Sequence, residues 1–294
     1  MTPKTVVFRA DASIDIGTGH VMRCLTLASE LRDHGAQCVF VSREHPGNLL
    51  ELVQERGFEA IALSPPFAAF QPSGDEGPPE HAGWLGAAWQ DDAEETLDVL
   101  EGRQFDWLVV DHYALDTRWE SELRQICTRL MVIDDLADRP HDCDLLLDQN
   151  LDRQDKDYAH LIPAAAELKL GPRFALLRPE FAEFRETALR RRSTGNVAQI
   201  LVSLGGVDKD NATLVVLQAL RAIEPPISSR VLVIVGETHL GQLGSGPMRQ
   251  VLLRRLTYIC GHPPSAVERG TNERLNSSDD PGQLDRSGLA RETG

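Results

Sequence analysis

Short β-branched apolar runs alternate with amphipathic stretches over roughly the first 190 residues, and that rhythm is the pattern of a parallel sheet covered by helices. The runs are Thr5–Ala10 (TVVFRA), Cys38–Ser42 (CVFVS), Glu59–Ser64 (EAIALS), Trp107–Asp111 (WLVVD), Leu130–Asp135 (LMVIDD) and Cys143–Asp148 (CDLLLD). Several are apolar at nearly every position, as expected of strands buried on both faces. Between them, His20–Asp33 places Val21, Leu25, Ala28 and Leu31 on one face at helical spacing, and Gly35 stops it. Asp92–Leu100 and Thr117–Leu130 have the same character. Ser64–Asp91, with five prolines and several glycines, reads as a loop on the rim of the sheet. Trp84 and Trp89 within it fit local packing or a lid over a substrate.

A second alternating unit begins near Val197. Gln199–Gly206 and Arg230–Glu237 read as strands, Asn211–Ile223 as the helix between them, and Arg178–Arg192 as a helix joining the two units. The expected architecture is therefore α/β, with two Rossmann-like doubly wound domains, residues 1–177 and residues 178–260. Two strands are too few to complete the second. Ligands belong where strand C-termini face a cleft. From Gly261 to Gly294 the chain is poor in apolar side chains and rich in Pro, Gly, Ser, Asp and Arg. Such a segment cannot offset its ordering entropy, so residues 261–294 are expected to be disordered. The loss of period near Leu256–His262 suggests a frameshift or truncation.

Composition narrows the class of partner. With 30 Lys and Arg against 45 Asp and Glu, the net charge is −15, and nucleic acid is not expected as a ligand, because that affinity rests on neutralising phosphates with cations. A polyanionic small molecule remains possible where the chain builds a local donor-rich pocket. No run approaches the ~20 apolar residues of a membrane span, and the N-terminus lacks the pattern of a signal peptide. Five cysteines without a CxxC pair read as reduced thiols in a cytoplasmic protein.

The chemistry-bearing residues gather at strand ends. After the first strand, Asp11 opens a loop that reaches Gly17-Thr18-Gly19 and turns into a helix at His20. Two glycines there let backbone N–H groups face an anion. A dinucleotide fingerprint fails, since its third glycine falls on Met22 and no acidic residue closes the second strand. An imidazole at a helix N-terminus is disfavoured as imidazolium, which suits His20 to general-base work; a structural histidine is the alternative. Arg23, one turn on, serves as a cation at the same mouth or as a surface salt bridge. Asp111-His112-Tyr113 follows another strand, with Asp111 either a cap or a site residue. Asp134-Asp135 fits turn chemistry. His141 and Cys143 lack completing partners, so no metal site is assigned. Leu204-Gly205-Gly206-Val207-Asp208 repeats the strand–glycine–helix arrangement in the second unit. Two facing glycine loops would suit a nucleotide diphosphate.

Six segments in this order resemble one enzyme family: Phe8–Ala28, Trp84–Thr96, Val109–Glu120, Ile133–Asn150, Leu170–Phe181 and Ile200–Asn211. It is the UDP-2,4-diacetamido-2,4,6-trideoxy-β-L-altropyranose hydrolase family of pseudaminic acid biosynthesis, and the resemblance extends from Met1 to about Arg255. It implies a GT-B architecture and metal-independent attack of water on the anomeric carbon of a UDP-sugar. It also implies His20 as the general base; no cofactor is expected, and the chain is expected to be a monomer. Asp11, Gly17, Gly19, Arg23, Asp111, Tyr113, Arg178, Gly205, Gly206 and Asp208 fall in matching motifs as substrate-pocket residues. The family's later C-terminal motifs are not found after Leu256, which raises the alternative of an impaired nucleotide-sugar-binding remnant. Glycosyl transfer on the same architecture is a further alternative.

Overall fold

The structure is a computed structural model that describes residues 3–66, 79–193, 195, 197, 199–204, 208, 211–223, 230–235 and 256–260. The expected tail, residues 261–294, and the pair Gly205-Gly206 lie outside the described residues.

Seven parallel strands form the main sheet: β1 (Thr5–Ala10), β2 (Gln37–Arg43), β3 (Glu59–Leu63), β4 (Phe105–Asp111), β5 (Cys127–Ile133), β6 (Leu145–Asp148) and β7 (Glu167–Leu170). Their order is β3-β2-β1-β4-β5-β6-β7. Alternate residues of each strand enter different cores. Val7, Val39, Val41, Leu108, Val110, Leu130 and Val132 face one side, where α3 (Trp89–Val99) and α4 (Thr117–Leu123) bring Ala93, Trp119 and Leu123. Val6, Phe8, Phe40, Val109, Met131 and Ile133 face the other side, where α1 (Gly19–Asp33) and α2 (Leu50–Glu55) bring Val21, Leu25, Ala28, Leu52 and Val53. Burial on both faces explains the unbroken apolar runs. The sheet is wound outward in both directions from β1 and β4, so the crevice beyond the C-terminal ends of these two strands is its topological switch point.

Three local differences from the sequence expectation have simple causes. The helix expected over Thr117–Leu130 stops at Leu123, because Arg124–Ile126 tightens into a 3₁₀ turn and Cys127 already begins β5. Strand β7 reads ELKL, an edge strand with polar residues at alternate positions, and carries no apolar run to betray it. The second unit has three parallel strands rather than two: β8 (Gln199–Ser203), β9 (Arg230–Val235) and β10 (Leu256–Cys260), in the order β10-β9-β8. Helix α6 (Ala212–Ala222) packs Leu217 against Val202, Val231 and Val233. Helix α5 (Pro179–Arg192) has no buried residue.

Cys24, Cys38, Cys127 and Cys143 are free thiols. Burial pushes the thiols of Cys38 and Cys127 up to about 11 and that of Cys143 up to about 12. Among the described residues no helix is long and apolar enough to cross a membrane.

Candidate functional site

Strand β1 ends at Ala10, and the chain then folds the turn that leads into α1. Ser13 and Gly17 exchange backbone hydrogen bonds of 3.3 and 2.8 Å, while the Ser13 hydroxyl accepts from the amides of Asp15 and Ile16. Gly17 has φ +81°, a left-handed value that a side chain would strain. Gly19 is the first residue of α1 and His20 the second; Thr18 provides no side-chain cap.

His20 is 6% exposed. Its Nδ1 is sealed from solvent and has no hydrogen-bond partner, and its Nε2 lies 4.0 Å from Asp111 Oδ1. The edge of its ring meets Tyr113, with centroids 4.5 Å apart at 78°. Burial is the main reason its pKa lies below the ordinary histidine value, opposed by the Asp111 carboxylate. The neutral imidazole expected from the helix terminus is therefore obtained chiefly by desolvation.

Arg23 is not a surface salt bridge. Its Nε and Nη2 donate to the two oxygens of Asp111, each at 2.6 Å, and its Nη1 donates to Asp135 Oδ2 at 2.6 Å. This bidentate clamp ties α1 to the ends of β4 and β5. Tyr113 donates its hydroxyl to the same Asp135 oxygen at 2.6 Å, and burial with that bond raises the phenol's pKa. Asp134 and Asp135 part company. Asp134 accepts from the amides of Leu136 and Ala137, as turn chemistry requires, whereas Asp135 joins the site.

Asp11 belongs to a layer beneath His20. Its Oδ1 accepts from Arg9 Nη1 at 2.6 Å, from the Arg43 amide at 2.8 Å and from Ser42 Oγ at 3.2 Å. Its Oδ2 lies 3.3 Å from His112 Nε2 and 3.6 Å from His45 Nε2. Arg9 and Arg43 both donate to Asp92 Oδ2, and Trp119 Nε1 donates to Asp92 Oδ1 at 2.9 Å. Two guanidinium groups and two carboxylates, all buried, thus balance one another. Against the cost of burial, the Arg9 charge and the adjoining imidazoles of His112 and His45 hold the Asp11 carboxyl well below its usual range, and burial lowers the pKa of His112. Completely enclosed, Asp11 braces the loops after β1 and β2 rather than facing an open pocket.

His81 was not evident in sequence as a neighbour of the site, whereas Trp84, read there as local packing or a lid, does reach it. The 3₁₀ turn Ala82–Leu85 stacks Trp84 against His81 at 4.4 Å and against Tyr113 at 5.9 Å. Trp89 is an ordinary packing residue at the start of α3, beneath Arg118.

The second-unit residues behave differently. Asp208 accepts from the amides of Ala212 and Thr213 at 2.8 and 2.9 Å, so its carboxylate occupies the N-terminal donors of α6 that a diphosphate was expected to use. Arg178 is exposed at the start of α5, with its guanidinium 5.6 Å above the Phe181 ring. His141 donates Nδ1–H to Glu120 at 2.7 Å. Among the described residues no group of three or more His, Cys, Asp or Glu side chains is arranged to hold a metal ion.

Comparison with known proteins gives this site a context. No protein-family model matches the chain. Over 210 residues it is 25% identical to the UDP-2,4-diacetamido-2,4,6-trideoxy-β-L-altropyranose hydrolase of Campylobacter jejuni, covering 71% of this chain and 63% of that protein. The chain is a distant relative of that hydrolase. It is also 22% identical over 212 residues to an uncharacterized protein of Methanocaldococcus jannaschii, covering 71% of this chain and 38% of that protein. Its matches thus span less than two thirds of either relative. Among solved structures, MurG of Acinetobacter baumannii superposes with a TM-score of 0.50 at 12% identity, covering 89% of this chain and 69% of that one. That likeness shows a fold of GT-B type.

Proposed function

We propose that the chain acts on a UDP-sugar and hydrolyses it, with His20 as general base. The observation that carries the reading is His20 itself: an imidazole kept neutral by burial, at the switch point of a parallel sheet, 4.0 Å from a carboxylate clamped by an arginine. A base operating near neutral pH must hold a free lone pair in its resting state. In the reaction, a water gives its proton to His20 as its oxygen bonds to the anomeric carbon. The bond from that carbon to the phosphate oxygen breaks, and UDP leaves with the electron pair. The kinship with the Campylobacter jejuni hydrolase supports the diacetamido-trideoxy-altropyranose as the sugar. His20, Arg23, Asp111 and Tyr113 form the reacting end, while Gly17 and Gly19 shape the approach to it. Asp11 acts from the layer beneath. In this reading Gly205 and Gly206, with Arg178, contact the nucleotide, and Asp208 caps the N-terminus of α6.

Incubation with the UDP-sugar and measurement of UDP release tests this. UDP should appear without an acceptor and disappear in His20→Ala with the fold retained. Release only on adding an acceptor would favour glycosyl transfer, and a variant as fast as the parent would remove His20 from the mechanism.

A further inference from the structure

Around His20 the charges do not cancel. Asp111 and Asp135 each carry a negative charge, Arg23 alone sits between them, and Tyr113 is held protonated by its bond to Asp135. Counted over these four side chains, the charge is about −1 at neutral pH by ordinary side-chain ionisation, while Arg139 over Tyr113 and Arg153 at the Asp135 carbonyl are each paired with carboxylates outside the cluster. Asp111 Oδ1 is close enough to feel a charge on Nε2 and too far to hydrogen-bond to it. We propose that Asp111, fixed by Arg23, is the positioning residue for His20: it leaves the resting imidazole free and balances the imidazolium as the proton arrives. This rests on the reading of His20 as the base, and adds to it a preformed counter-charge that needs no rearrangement during reaction.

The groups that face His20 all enter the balance. From α1 come Arg23 and the buried Cys24 thiol, which lies 3.5 Å from Asp111 Oδ2. The end of β4 contributes Asp111, His112 with its ring centroid 6.4 Å away, and the phenol of Tyr113. The turn after β5 contributes Asp135. Of these, Asp111 and Asp135 favour imidazolium, while Arg23 and a protonated His112 oppose it. Removing one charge at a time must therefore move His20 in opposite directions.

The experiment is an NMR titration of the His20 ring in the full chain, with UDP release measured on the same samples. Asp111→Asn should lower the His20 midpoint by about one pH unit, a tenfold change in proton affinity. It should also lower kcat about tenfold or more with KM little changed. Arg23→Gln should raise the midpoint, and Asp111→Glu should return it toward the parent value. A role confined to holding the fold would not give shifts of opposite sign. A His20 midpoint unmoved in Asp111→Asn, or moved the same way in both Asp111→Asn and Arg23→Gln, overturns the proposal whatever the turnover. The predicted shifts in a chain that releases no UDP would instead overturn the hydrolase reading and leave the charge coupling standing.

Discussion

Burial opposes protonation of both His20 and His112, and this gives stability a definite pH dependence. With folded-state pKa values below that of the unfolded chain, the unfolded state takes up protons first as pH falls. Their contribution is complete above about pH 6.5 and is lost progressively below it. Thermal unfolding should show a steady Tm above pH 7 and a decline toward pH 5, shallower in His20→Asn. Glycine offers a second comparison at this scale. A Cβ on Gly86, at φ +72°, would lie 2.5 Å from Pro66 Cβ and 3.1 Å from His45 Cε1. One on Gly17, at φ +81°, meets no atom within 4 Å. Urea unfolding should find Gly86→Ala costing about 2–4 kcal/mol from strain plus overlap, and Gly17→Ala about 1 kcal/mol from strain alone. His20, Arg23 and Asp111 were legible because each follows a strand end in a recognisable motif. Asp135 was hidden behind its turn-forming neighbour. His81 and Trp84 meet Tyr113 only through folding, which no local spacing records.

At the scale of elements, the buried ion network is what seats α3 on the sheet. Asp92, in the first turn of α3, receives Arg9 from β1, Arg43 from the end of β2 and Trp119 from α4. Replacing it with Asn leaves two guanidinium groups with a single buried carboxylate between them, besides the partly exposed Glu95 paired with Arg43 at 3.0 Å. Removing one partner of a buried pair costs about 3–5 kcal/mol, and denaturant unfolding of Asp92→Asn should show a loss of that size. Arginines near the ends of the apolar runs TVVFRA and QCVFVSR are the sequence signal that such a network existed. Their partner was not legible, since Asp92 resembles any acidic residue in the first turn of a helix. Helix α4 was misjudged in length because Leu123, Ile126, Cys127 and Leu130 keep a helical spacing of three to four residues from its last turn into β5. Only the change of backbone at Arg124–Ile126 separates them.

For the whole molecule, order should follow burial. Strands β1 and β4 lie in the middle of the seven-stranded sheet with both faces covered, whereas α5 has no buried residue. Hydrogen exchange should leave the amides of β1 and β4 as the slowest in the chain and those of α5 among the fastest; comparable rates in the two would contradict this packing. The α/β class and six of the seven main-sheet strands were legible from apolar runs. Strand order was not, because pairing is set by crossovers that leave no periodic mark.

The Arg23 clamp has a consequence for synthesis. Its two carboxylates lie 88 and 112 residues further along the chain. A nascent polypeptide emerging from the ribosome therefore displays His20 and Arg23 long before either counter-ion exists outside the tunnel. The clamp around Arg23 is complete only once the turn after the fifth strand has been synthesised, so in the proposed reading His20 reaches its working surroundings late in translation.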